Sequence, residues 1–148
     1  HPKENRHAAR ARRPVLQGPA KERHQREVAK AIALGEPRRW GKVSVVTPTM
    51  EKRQAFHEQL WLCFTHQTWP EKELVIIDTY QDEPSAFFSS LDGHDDRLIY
   101  LSFQIKPHEQ DISIGAKRNI GQHVAVGDYI VNFDDDDLYA PDYVEIMV

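Results

Sequence analysis

An open α/β fold, with a mainly parallel sheet and flanking helices, is predicted for residues 41–148. Three observations predict it. Short apolar runs of strand character alternate with longer segments that place apolar residues four apart. One of those runs, "ELVIID" (73–78), is apolar nearly throughout, as a strand covered on both faces requires. Strands alternating with helices imply crossover connections, and therefore parallel pairing.

The elements follow in chain order. "KVSVVT" (42–47) reads as a strand that ends in turn chemistry at Pro48. A helix is expected over about 51–66, with Phe56, Leu60 and Phe64 on one face. "ELVIID" is strand two. "EPSAFFSSL" reads as a short helix that tolerates Pro84 near its start. "RLIYLS" (97–102) is strand three. A second long helix is expected over about 111–126, where Ala116, Ile120 and Val124 share a face. "DYIVNF" (128–133) is strand four, and "APDYVEIMV" opens a further helix. The chain contains no internal repeat.

Composition bounds the possibilities. An apolar fraction of 40% with 9% aromatics can build a core and excludes wholesale disorder. The single cysteine, Cys63, excludes an internal disulfide framework and a cysteine-based zinc site. No stretch approaches the roughly 18 to 20 apolar residues that span a bilayer. The chain starts at His1, as a cut or processed segment would, so the compartment stays open, with the cytoplasm favoured.

The net charge of −4 hides two objects. Residues 1–40 hold 11 Lys and Arg against 4 acidic residues, a balance of +7; residues 41–148 hold 8 against 19, a balance of −11. The division expected is a basic arm (1–40) followed by one domain (41–148). "HPKENRHAARARRPVLQGP" reads as a flexible arm, and "AKERHQREVAKAIAL" (20–34) as a helix stopped by Gly35 and Pro37. No aromatic is interleaved among the arginines before Trp40. A solvated linker or a packed helix is preferred over an RNA- or membrane-binding segment, and the missing aromatics weaken the nucleic-acid reading further.

The chemistry concentrates in "VNFDDDDLYAP" (131–141). Four adjacent carboxylates repel one another, most strongly where water is scarce, and apolar residues flank these on both sides. A cation placed among them would offset that repulsion. In open parallel sheets, ligands bind beyond the carboxyl ends of the strands. The acidic run, Asp78 at the end of strand two and Thr47 at the end of strand one all fall on that rim. If the run stays extended, Asp134 and Asp136 point to one side and Asp135 and Asp137 to the other. A pair spaced in that way suits a hard divalent cation such as Mg²⁺ or Mn²⁺. A calcium EF-hand fails, because Leu138 and Tyr139 stand where a ligand and a glycine are needed. The plain alternative is a charged loop with no metal.

"ISIGAKRNIG" (112–121) supplies the opposite charge. Lys117 and Arg118 lie in or near the first turn of the expected helix, where cations oppose the dipole. A phosphate among the backbone N–H groups and these side chains would justify the placement; otherwise they are surface residues. Phosphate motifs of the GxxxxGK[ST] and GxGxxG types are missing, as is a GxSxG elbow. The histidines at 57, 66, 94, 108 and 123 fit no zinc spacing and read as surface or helix residues.

Four segments, "KVSVVTPT", "HQTWPEKELVIID", "IGAKRNIG" and "AVGDYIVNFDDDDLYAPDYVE", resemble in order and spacing the family 2 glycosyltransferases of the GT-A fold. The resemblance covers residues 42–148. It implies a nucleotide-sugar donor, inverting transfer to an acceptor, and a "DxD" metal site for Mn²⁺ or Mg²⁺. By position, Asp134 and Asp136 match the DxD pair, with Asp135 and Asp137 beside them; Asp136, Asp134 and Asp137 are the expected metal ligands. Thr47, Pro48, Thr49 and Asp78 match the nucleoside side of the donor pocket. Lys117, Arg118 and Asn119 match the helix start near the base and diphosphate, and Asp135 is placed with the donor.

This sequence departs from the family pattern twice. Met50-Glu51 stands where Tyr-Asn is usual, and Thr79 replaces a second aspartate after strand two. Both changes fall in the nucleoside pocket, so UDP is expected from family habit alone. No catalytic residue is assigned, because the family's general base lies beyond position 148, on the acceptor side. The acceptor class (glycan, lipid, protein or small molecule) is not readable. Two other functions fit parts of the pattern. A nucleotidyltransferase shares sheet, metal and diphosphate, but "TPTMEKRQ" lacks the glycines of its phosphate loop. A non-catalytic binding module would account for the two departures.

Overall fold

The computed structural model describes residues 41–148 and, before them, positions 26, 29, 30, 33 and 34. The expected arm and most of its helix lie outside the described residues. Four strands form one sheet in the order β3-β2-β1-β4: β1 (Val43–Pro48), β2 (Lys72–Tyr80), β3 (Leu98–Gln104) and β4 (Tyr129–Asn132). Every pairing is parallel. The open α/β class expected from the alternating pattern is what the chain adopts.

Helices cover both faces because both faces are apolar. On one, α1 (His57–Thr65) and α2 (Ala86–Leu91) lay Leu60, Phe64 and Phe88 on Val43, Val45, Leu74, Ile76 and Leu98. On the other, α3 (Ile114–Val124) sets Ile120 and Val124 against Val46, Val75, Ile77 and Ile99. Each large side chain so buried contributes roughly 1.5–3 kcal/mol. Among the described residues no helix is long and apolar enough to cross a membrane.

Several boundaries differ from the sequence expectation. The first helix is split. Residues Glu51–Phe56 form a 3₁₀ turn before α1 begins. In that turn Glu51 accepts backbone N–H bonds from Gln81, Asp82 and Glu83, and Gln54 Nε2 donates to Glu83 O, so the turn is drawn toward the end of β2. Strand β2 runs two residues past Asp78 because Thr79 and Tyr80 find partners in Phe103 and Gln104. Helix α3 starts at Ile114 because the Ser113 hydroxyl caps it, accepting from Ala116 N.

The "HQTW" segment closes the base of the domain. Gln67 donates to Ala140 O and accepts from Val144 N, while Thr68 N donates to Pro141 O. These bonds hold α4 (Tyr143–Met147) against the first face. Lys72 Nζ donates to the carbonyls of Thr65, Gln67 and Trp69, which satisfies acceptors left over near the end of α1.

Gly121 marks the closest approach of α3 to the sheet. A Cβ there would meet Val46 Cγ1 well inside contact distance. Gly121→Ala should lower stability by about 1–3 kcal/mol, read as an earlier urea midpoint at unchanged slope. A wild-type midpoint would mean that α3 sits further from β1.

Candidate functional site

Two adjoining clefts open at the carboxyl ends of β1 and β2. One, of about 310 Å³, is lined by Pro48, Thr49, Arg53, Lys117 and Asp134 to Asp136. The other, of about 360 Å³, is lined by Glu51, Thr79, Tyr80, Gln81 and Glu109. Met50 and Asp111 border both.

The acidic run is not extended. Beyond β4 the chain turns at Asp135 and Asp136, so the strand-like alternation of side chains is lost. The cause is an aromatic anchor. Phe133, wholly buried, stacks on Tyr139 with ring centroids 3.8 Å apart and planes 5° from parallel. The Tyr139 hydroxyl accepts from Asp134 N at 2.6 Å, folding residues 133–139 back on themselves.

Each cleft-lining aspartate then meets a different partner. Asp134 accepts from Arg118 at 3.1 Å, and Asp136 from Arg53 at 2.9 Å. Asp135 turns inward and accepts from Thr49 Oγ1 at 2.8 Å. Loss of hydration raises the Asp135 carboxyl, opposed by the Thr49 bond and by Arg53. Asp137 is exposed, and its carboxyl is raised by partial desolvation and by the charges of Asp136 and Asp134.

Lys117 does not reach out into solvent. It is 3% exposed, and its ammonium donates to Thr49 O at 2.7 Å, Thr79 Oγ1 at 2.7 Å and Asp111 Oδ2 at 3.2 Å. Its three donors are all used within the chain. Arg118 keeps its charge at the surface, whereas Asn119 is exposed and lines neither cleft. Thr47 and Asp78 are also absent from the walls; both are fully buried beneath them. Asp78 Oδ2 accepts from the Tyr100 hydroxyl at 2.7 Å, and its Oδ1 has no partner. Burial raises the Asp78 carboxyl, opposed by the Tyr100 bond and the Lys117 charge. Burial also raises the Tyr100 hydroxyl.

The glycosyl transferase family 2 model matches residues 44–148, which takes in all of the sheet but Val43 and every residue of both clefts. The chain belongs to glycosyltransferase family 2. An uncharacterized glycosyltransferase from Rickettsia felis is similar at 30% identity over 109 residues, and one from Rickettsia conorii at 28% over 109 residues. In each case the match covers 72% of this chain, and the chain spans 17% of the length of the curated relative.

In this family 2 chain, both departures from the usual pattern are absorbed into scaffolding. Glu51 orders the backbone of residues 81–83, and Thr79 supplies a hydroxyl acceptor for Lys117. Four contributors carried no sequence signal. Arg53, Asp111, Tyr139 and His57 reach the site through contacts between segments, and only the fold brings them together. His57 is wholly buried, bonded at Nε2 to Thr49 Oγ1 and at Nδ1 to Ser85 Oγ, each at 2.8 Å. Among the described residues, no three His, Cys, Asp or Glu side chains converge as a cage for a metal.

Burial holds the His57 imidazole at about 4, against 6.5 when unfolded. Between these values the unfolded chain binds a proton that the folded chain does not. Stability should therefore fall as pH drops through that window, by about 3 kcal/mol at its lower end. Urea titrations at pH 7 and pH 5 should give His57→Gln a flatter pH dependence than wild type. Equal slopes would mean that the imidazole is not held neutral.

Proposed function

We propose that residues 41–148 bind the donor, a nucleotide-diphosphate sugar, for an inverting glycosyl transfer, with UDP as the nucleotide. The observation that carries the reading is the pair of clefts joined at Met50 and Asp111. The larger cleft takes the nucleoside. The smaller, lined by four aspartates and Arg53, takes the diphosphate.

The donor set fits a hard cation. It offers only carboxylate oxygens, and Mg²⁺ typically uses one or two of these while phosphate and water complete its shell. A cage of three side chains is therefore not required. Asp136, Asp134 and Asp137 are the residues that would hold Mn²⁺ or Mg²⁺. When bound, the ion would offset the charge that builds on the leaving diphosphate.

The chain's own part is to bind and orient. Arg53 and Arg118, now held by Asp136 and Asp134, lie where they can exchange a carboxylate for a phosphate oxygen. Glu51 keeps the 81–83 backbone in place along the nucleoside cleft. Lys117 fixes the spacing of the β1 and β2 ends and of Asp111. Glycosyl transfer by the whole protein, to an acceptor of any class, belongs to the same proposal.

Calorimetric titration of UDP, GDP and ADP, with Mn²⁺ and with chelator, tests it. UDP should bind in a metal-dependent manner, and Asp136→Ala should weaken binding at least ~10-fold, a loss typical of a charge-assisted contact. Metal-independent binding would remove the cation from the reading. Binding of no nucleotide by the folded protein would favour a module that kept the fold without its chemistry.

A further inference from the structure

We propose that His57, which contacts neither cleft, is the positioning residue for Asp135, acting through Thr49 along a hydrogen-bond chain of fixed direction. Its consequence for binding rests on the donor-site reading above.

Proton counting sets the direction. A threonine hydroxyl has one proton, and Thr49 Oγ1 gives it to Asp135 Oδ2 at 2.8 Å. The 2.8 Å contact between Thr49 Oγ1 and His57 Nε2 must then have the histidine as donor. That places the imidazole proton on Nε2 and leaves Nδ1 to accept from Ser85 Oγ at 2.8 Å. Ser85 Oγ in turn accepts from Phe88 N, which caps α2. Each proton has one place, and the chain runs from the start of α2 to the acidic turn.

The ring cannot easily leave this arrangement. His57 is 0% exposed and packs on Phe88 with ring centroids 4.9 Å apart. The other two cleft-lining aspartates of the turn, Asp136 and Asp134, are held by Arg53 and Arg118, whose side chains are 43% and 38% exposed. Asp135 is the member of the turn tied to the interior. Thr49 itself is pinned, by its N–H to Ile77 O and by Lys117 on its carbonyl. An apolar side chain at position 57 would fill the same space but leave the Thr49 hydroxyl without the donor that directs its proton to Asp135.

The first test needs no nucleotide. Nitrogen-15 NMR of the 148-residue chain at neutral pH should show His57 as the Nε2–H tautomer. Asp135→Ala should shift the His57 Nε2 resonance, and should not do so when Thr49 is already valine. The Nδ1–H tautomer, or a shift that survives Thr49→Val, would overturn the proposal.

The second test reads the consequence by Mn²⁺-dependent UDP titration. Thr49→Val and His57→Phe should each weaken binding about tenfold, and the double variant no more than either alone. Thr49→Ser should stay within about twofold of wild type, and His57→Gln, whose amide can donate to Thr49, should recover part of the loss. Wild-type affinity in folded His57→Phe, or losses that add in the double variant, would sink the idea. Should His57→Phe fail to fold, His57→Gln and Thr49→Val carry the same comparison. If the wild-type protein binds no nucleotide, the donor-site reading falls, and the tautomer and its response to Asp135→Ala decide the chain by themselves.

Discussion

One buried ammonium group sets the geometry of the cleft rim. Lys117 Nζ reaches the end of β1 through Thr49 O, the end of β2 through Thr79 Oγ1, and the loop before α3 through Asp111. A buried charge is tolerable only when its hydrogen-bonding capacity is met, and removing one partner leaves the rest costly. Lys117 meets this condition with three acceptors. The spacing of the two clefts follows from that single side chain, because Thr79 and Asp111 border one cleft, and Thr49 and Asp111 the other.

Around this point the site is built in two layers. The inner layer is polar and buried: His57, Ser85, Tyr100 and Asp78 lie below the clefts, Thr49 joins them to the wall of the smaller one, and they bond chiefly to one another. The outer layer carries the more exposed charges, Asp134, Asp136, Arg53 and Arg118. Low dielectric strengthens the inner bonds, and exposure lets the outer ones exchange partners. A ligand that needs both firm placement and displaceable counter-charges is well served by this division.

The acidic turn depends equally on its flanking aromatics and on residues far from it in sequence. Phe133 and Tyr139 fold it by stacking, and Gln67 with Thr68 anchor the chain that follows, at Ala140, Pro141 and Val144. The "QT" of "HQTW" is thus a structural clasp for the segment after the aspartates. That explains, in physical terms, why two segments so far apart in sequence belong to one pattern.

By itself the sequence determined the sheet, its parallel class, the order of its elements and the family. Those depend on the period of apolar residues and on short segments in register, which are local properties. It also determined that the aspartates lie at the carboxyl end of β4. Only the tertiary structure decided which way each side chain faces. Asp78 and Thr47 looked like rim residues, but they point into the core layer, because β2 and β1 are covered where those residues fall. Lys117 looked like a phosphate ligand, but it is buried, because α3 packs closely on β1 at Gly121. His57 lies in a helix, one of the two places its sequence context suggests, but it is also the middle of a buried hydrogen-bond chain, because α1 starts where Thr49 and Ser85 converge. Periodicity reports which residues can be buried; which polar groups meet depends on contacts between segments that no local pattern encodes.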